Sequence, residues 1–343
     1  MRGTESRLGR RSSATIYDVA DHAGVSPMTV SRVIAGGKNV RKDKIERVQA
    51  SILELGYRRN ENARSIRPGQ RTGLVGVVIT NVANPYYAEV QLGVEMVVGA
   101  QGMRLLVGTS HEDPARERQL LADFIGRKVD GLIVVPTATD DIDHLTPAAL
   151  GTTPLVLASR SVSGLDVDTV LIDDINGARE GTRRLIERGH RRISYVGSTA
   201  RASTSERRLQ GFHQAHTEAG LDVDPALIRI GQQKPSQAQA AVEELLQLSS
   251  PPPTAIFSGN NRNTIGTIRA LRAAEDAGTV TAGAIELACF DNFELSDLMP
   301  MPLLIIDHDP RDLGRRAGEL LIRRLADPDI EPKLLQLPTR LLQ

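Results

Sequence analysis

The sequence predicts an α/β protein headed by a helix-turn-helix, and three observations carry that expectation. Residues 14–34, ATIYDVADHAGVSPMTVSRVI, repeat apolar positions at helical spacing on either side of a glycine. From Thr72 onward, short apolar runs alternate with amphipathic stretches, the pattern of a parallel sheet covered by helices on both faces. Charge is divided between the two parts: residues 1–72 carry 15 Lys and Arg against 7 Asp and Glu, and residues 73–343 carry 27 against 35. A formal net charge of zero thus hides a basic module of +8 and an acidic body of −8, a distribution suited to a head that binds a polyanion.

In the first element, Ile16, Val19, Ala20 and Ala23 present one apolar stripe to a partner helix. Gly24 permits a tight turn after that helix. Ser26 supplies a capping hydroxyl, and Pro27 takes the first position of the next helix, where its missing N–H costs nothing. Val30, Val33 and Ile34 pack this second helix on the first. That leaves Pro27, Met28, Thr29, Ser31 and Arg32 facing outward, as in a helix that enters a major groove. Two short amphipathic helices also make an ordinary core pair, so this segment by itself leaves both readings open.

Ile45, Val48, Ile52 and Leu55 mark a third helix, ended by Gly56. Residues 60–71, NENARSIRPGQR, are polar, basic and broken by Pro68 and Gly69, which reads as a connector between domains. The runs GLVGVVI, MRLLVGTS, DGLIVVP and PLVLASR then read as strands, separated by helical stretches such as ARERQLLADFIGRKV. A second series of the same kind starts near Thr169 and runs to IELACFD. Two such halves make two lobes with a cleft between them, and ligands of these sheets lie beyond the carboxyl ends of the strands.

Cys289 is the only cysteine, which excludes an internal disulfide and a cysteine-rich zinc site; beside Leu287, Ala288 and Phe290 it reads as a buried small hydrophobe. No run approaches the ~18 apolar residues of a membrane span. The basic N-terminal stretch lacks the apolar core of a secretory signal, so a cytoplasmic location and no membrane partner are expected. No P-loop is present, and no GxGxxG follows a strand. His213 and His216 stand one turn apart without an acidic or cysteine partner at ligand spacing; they are expected on a helix surface, with no metal and no cofactor. Asp140 with Asp141, and Asp173 with Asp174, read as turn or cap carboxylates. No residue is assigned a catalytic role.

Over residues 14–342 the chain resembles the lactose-repressor (LacI/GalR) family of bacterial transcription regulators. The resemblance rests on an ordered set of motifs: IYDVADHAGVSPMTVSRVI, the Gly56-Tyr57 pair, NARSIR, NPYYAEVQLGVE, VDGLIV, ERGHRRI, and CFDN followed by DLGRRAGELL. It implies a disordered basic arm over 1–13, a helix-turn-helix domain over 14–60, a hinge helix or linker over 61–72, and an effector-binding and dimerisation domain over 73–343. That last domain resembles periplasmic sugar-binding proteins. Its lobes are expected at about 73–172 and 173–306, with the chain re-crossing near 307–310 and again near 326–336.

The resemblance further implies a homodimer whose heads read the two half-sites of a near-palindromic, double-stranded operator. It implies a repressor of carbohydrate-metabolism genes, controlled by a small sugar-like effector. The alternative from another class, a cytoplasmic sugar-binding protein without specific DNA binding, does not account for the basic head. By position, Pro27, Met28 and Arg32 would read base edges, while Ser26, Thr29 and Ser31 would touch phosphates. A guanidinium at Arg32 can grip guanine O6 and N7 together, worth ~1–3 kcal/mol of discrimination. Tyr17 either reaches a phosphate or packs in the core. In the hinge, Ala63 and Ile66 would meet the minor groove, with Ile66 standing where the family wedges a leucine into a base step.

Carried over in the same way, the effector-binding residues are Tyr86, Arg160, Arg208, Asn260, Asp291 and His308. They form a set able to bind hydroxyls, with Tyr86 offering a flat apolar face. Arg208 and Asp291 either grip adjacent hydroxyls or form a salt bridge across the cleft; His308 either touches the ligand or is structural. Asn261, Ser159 and His308 replace residues common in the family, and the chain has no tryptophan to stack on a sugar. A neutral sugar, a polyol and an acidic or phosphorylated sugar therefore all remain open.

Overall fold

The computed structural model describes residues 14–34, 36–37, 39–57, 71–248, 251–299 and 301–342. They fall into two compact units that divide between Thr72 and Gly73. The basic arm expected over 1–13 and the hinge positions Ala63 and Ile66 lie outside the described residues.

The first unit holds the helices Ile16–Ala23, Pro27–Ile34 and Lys42–Glu54. The first opens on a capping box: Thr15 Oγ1 accepts from the Asp18 amide at 3.3 Å, and Asp18 accepts from the Thr15 amide at 2.7 Å. Those bonds hold the Asp18 carboxyl below the usual carboxylate range. Gly24 closes this helix at φ 63°, a conformation that favours glycine. Ser26 caps the second helix, its hydroxyl accepting from the Thr29 amide at 3.2 Å. Val19, Ala20, Val30 and Val48 are fully buried between the three helices.

Ser51 donates to the Arg47 carbonyl at 2.9 Å, so its oxygen is left to accept from His22 Nδ1, also at 2.9 Å. The other ring nitrogen of His22 lies 3.3 Å from Glu54. This tie between the first and third helices was not visible as a pattern in the sequence, because its members are 29 residues apart.

The second unit contains two six-stranded sheets. One takes β1 (Leu74–Ile79), β2 (Arg104–Thr109), β3 (Gly131–Val134), β4 (Leu155–Ala158), β5 (Asp168–Ile172) and β11 (Leu334–Leu337), all parallel, in the order β11-β5-β4-β3-β1-β2. The other takes β6 (Ile193–Val196), β7 (Ile228–Arg229), β8 (Ala255–Ser258), β9 (Glu286–Phe290), β10 (Leu303–Asp307) and β12 (Arg340–Leu342), in the order β12-β10-β9-β8-β6-β7. Only β12 runs antiparallel, against β10. Central strands such as β3 and β8 are buried along their whole length, as strands with helices on both faces must be.

The chain passes between the sheets after β5, after β10 and after β11. The last passage therefore falls between Leu337 and Arg340, later than the stretch 326–336 anticipated from the sequence. The displacement follows from β11, which pairs with β5 from Leu334 to Leu337 and keeps the chain in the first lobe until then. The helix Pro310–Ala326 also belongs to the first lobe, where it packs on Pro85–Ala100. At their crossing, a Cβ added to Gly314 would stand 1.9 Å from the Val90 carbonyl oxygen, and one added to Gly93 2.0 Å from that of Arg311.

His216 departs from its expected place on a helix surface. It is 2 % exposed, donates from Nδ1 to the Phe212 carbonyl at 2.9 Å, and packs its ring 4.4 Å from that of Phe212. His213 is exposed as expected. Among the described residues no helix is long and apolar enough to cross a membrane.

Candidate functional site

On the first unit, the second helix turns one face to its core through Val30 and Val33 and leaves Pro27, Met28 and Arg32 exposed. Ser26 is exposed, and Thr29 and Ser31 are half-buried beside it. Arg32 has no carboxylate partner among the described residues, so its five donors are available to an external acceptor. Tyr17 is 67 % exposed, which leaves its phenol outside the core. These side chains form one outward face, apolar at Pro27 and Met28 and polar elsewhere, with one free guanidinium in the last turn of the second helix.

On the second unit, a cavity of ≈ 550 Å³ opens where the loops after β1, β2 and β4 face those after β6, β8 and β9. This is the carboxyl-terminal side of both sheets, where open parallel sheets bind ligands. Four of its residues hold left-handed backbone without being glycine: His111 and Glu112 after β2, at φ 56° and 60°, Ser159 just after β4, at φ 67°, and Asp291 just after β9, at φ 65°. Each such residue costs about 1 kcal/mol or more, and the cost is borne at the positions that turn a side chain into the cleft.

Five of the six residues carried over from the resemblance line this cavity: Tyr86, Arg160, Arg208, Asn260 and Asp291. Arg208 is the centre of a buried charge cluster. Its Nε donates to Asp174 at 2.8 Å and its Nη1 to the Gly259 carbonyl at 2.7 Å, while Nη2 meets Asp291 at 3.0 Å. Its guanidinium also lies 3.7 Å above the Phe290 ring. Arg208 and Asp291 thus pair with each other, and both belong to the second lobe. The Asp291 oxygen that faces Nη2, Oδ1, is buried and has no aligned hydrogen bond within the protein, while Asp291 as a residue is part of the cavity wall.

Arg160 is clamped on the other wall by both oxygens of Glu112, at 2.7 and 2.9 Å, and by the Pro136 carbonyl at 2.9 Å. Tyr86 contacts Ser159 through its hydroxyl at 3.2 Å, and burial pushes its phenol well above the ordinary range. Asn260 spends its carbonyl oxygen on capping the helix Asn261–Asp276, accepting from the Asn263 amide at 2.8 Å. Its amide nitrogen remains for the cleft.

His308 is not brought to the cavity wall. It sits behind it, 5.6 Å from the Tyr86 ring and 6.1 Å from that of Phe290, with neither ring nitrogen hydrogen-bonded. Burial lowers its pKa, and the nearby Asp291 only partly opposes that.

Several site residues escaped the sequence reading. Asp174, expected as a cap, is wholly buried and receives both Arg207 and Arg208; the capping falls to Asp173. Asn84 and Asn261 exchange hydrogen bonds across the cleft, at 2.8 and 3.4 Å. The Asx-Pro pair Asn84-Pro85, a helix-start signal, was the clue to Asn84.

A helix-turn-helix with a free outward face, joined in one chain to a two-lobed ligand cleft, defines a ligand-binding transcription regulator. Residues 15–60 match the model of bacterial regulatory proteins of the lacI family, and residues 72–343 that of periplasmic binding proteins and the sugar-binding domain of the LacI family. The chain belongs to the LacI family, whose members regulate transcription by binding DNA and are not enzymes. It is 32% identical over 330 residues to the catabolite control protein A of Priestia megaterium, covering 96% of this chain and 98% of that protein. It is 31% identical over 333 residues to the ribose operon repressor of Escherichia coli strain K12, covering 96% and 98%. Its fold is similar to that of the lac repressor dimer bound to operator and the anti-inducer ONPF, with a TM-score of 0.84 and 23% identity over 97% and 98% of the two chains.

Proposed function

We propose that this protein is a homodimeric repressor of carbohydrate-metabolism genes, acting in the cytoplasm, that leaves its near-palindromic operator when a small sugar-like effector fills the cleft. The carrying observation is the pairing, in one chain, of a free recognition face with a cleft of ≈ 550 Å³ lined by hydrogen-bonding side chains. Pro27, Met28 and Arg32 read base edges; Tyr17, Ser26, Thr29 and Ser31 bind phosphates; Ala63 and Ile66 enter the minor groove from the hinge. In the cleft, Tyr86, Arg160, Arg208, Asn260 and Asp291 hold the effector, and His308 supports Tyr86 from behind. Leu92 and Met96, one turn apart on an exposed helix face, together with Val107, supply apolar surface for the dimer.

Effector and operator favour different arrangements of the lobes, so each weakens the other through one coupling free energy, typically ~1–3 kcal/mol. The test is binding of the purified protein to its own upstream DNA against nonspecific competitor, with sugars, polyols and sugar phosphates added. Release by one compound supports the reading, and tighter binding with a compound would make the protein a corepressor instead. Arg32→Ala is expected to weaken binding to the specific fragment by ~1–3 kcal/mol while sparing nonspecific binding. Equal losses on both DNAs would remove Arg32 from base recognition.

A further inference from the structure

The charges that line the cleft are not all balanced. Arg160 is neutralised by Glu112, and Arg208 by Asp174 and Asp291. Two further cations line the same cavity, Lys234 and Arg262, and among the described residues neither has a carboxylate partner. The Nε of Arg262 is moreover buried without any hydrogen bond. A buried guanidinium nitrogen left without an acceptor is costly, and the half-buried Arg262 that carries it is part of the cavity wall.

The fold brings together the two segments that carry these cations. Lys234 immediately precedes the helix Pro235–Leu246, and Arg262 lies in the first turn of Asn261–Asp276. The two helices cross at Gly266, one turn beyond Arg262, where an added Cβ would stand 2.2 Å from the Pro235 carbonyl oxygen. Asn263 ties the same two segments together, donating to the Gln232 carbonyl at 2.6 Å. The first-turn amides of Asn261–Asp276 add the positive end of a helix dipole to the same wall.

We propose that the effector is an anionic sugar derivative, a phosphorylated or carboxylated sugar, whose charged group is held by Arg262 and Lys234 while Asp291 and Asn260 take its hydroxyls. The inference rests on the ligand-controlled reading of the cleft and narrows its ligand. Arg160 and Arg208 contribute donors to the effector but no free charge, because both are already paired with carboxylates of the protein.

The experiment uses the full-length protein and matched probes: glucose and glucose 6-phosphate, ribose and ribose 5-phosphate, gluconate, and inorganic phosphate. Binding is read by titration calorimetry and by displacement of the upstream DNA fragment. At least one anionic compound is expected to bind tenfold or more tightly than its neutral counterpart, roughly the worth of one charge-assisted hydrogen bond. Arg262→Gln is expected to remove that advantage and Arg262→Lys to restore part of it, which separates lost charge from lost folding. A sugar phosphate, a sugar acid or inorganic phosphate binding in this Arg262-dependent way supports the proposal, and the arm that responds identifies the anion.

If no anionic compound binds, or one binds equally well to Arg262→Gln, the proposal falls. A neutral sugar that binds both forms alike and releases the DNA would overturn it while leaving ligand-controlled repression intact. Arg262-dependent binding of an anion that leaves DNA binding unchanged would do the reverse.

Discussion

Arg208 draws together acceptors from three parts of the second lobe: Asp174 at the start of one helix, the Gly259 carbonyl after β8, and Asp291 after β9. Arg208 and Asp291 were legible in the sequence through the family resemblance, in SERRLQGF and CFDN; Asp291 stands just beyond β9, whereas Arg208 lies inside the helix Ser203–Glu218. Asp174 was not, since an acidic residue beside a helix start reads as a cap, and only tertiary packing reveals that it is fully buried. His216 was missed for the same reason: its spacing said helix, and burial was decided by the ring of Phe212. Burial lowers the pKa of both His216 and His308 below the ordinary 6.5. The unfolded chain then takes up these protons at a higher pH than the folded one does. Stability of the second unit is accordingly complete above about pH 6.5 and declines as the pH falls from there through the folded-state values. The double substitution His216→Gln with His308→Gln should flatten the fall in urea midpoint between about pH 7 and about pH 5. An unchanged slope would assign the acid sensitivity to other groups.

At the scale of elements, periodicity and helix-start signals located the strands and helices well, because strands buried on both faces must be apolar and helices between them must be amphipathic. What periodicity does not encode is which sheet a strand joins. The short β11 alternates half-buried and exposed residues and could not be told from a connector, and this displaced the last passage between the lobes. Close helix approaches were equally hidden, since a glycine in mid-helix reads only as a weak helix former. Gly314 and Gly93 bring Pro310–Ala326 and Pro85–Ala100 into backbone contact. Gly314→Ala should therefore destabilise the second unit by about 3 kcal/mol or more, at or beyond the upper end of ordinary overpacking, because a backbone carbonyl is what must move. Urea unfolding measures this, and a cost below about 1 kcal/mol would mean that the two helices slide apart freely.

For the molecule as a whole, three chain passages and a few polar contacts govern how the two lobes sit. The exchange between Asn84 and Asn261 spans the cleft mouth, as does the Ser161 amide, which donates to the Ser203 hydroxyl at 3.1 Å. A ligand that favours the closed lobes gains from every contact that already favours them. Asn261→Ala should weaken effector binding by about fivefold, the worth of roughly one hydrogen bond, and should raise the radius of gyration of the unliganded protein in solution scattering. Unchanged affinity and size would mean that the pair does not set the closure. The third passage has another consequence, which lies in the strand that it delivers. β12 covers the flank of β10, whose residues Leu303 to Ile306 are apolar and buried, and Arg340 neutralises Asp307 at its end. Without those three residues β10 would be the outer strand, so β12 replaces a five-residue, largely apolar edge by a three-residue one that begins on a charged, exposed arginine, the short and charged kind of edge that resists pairing with another chain.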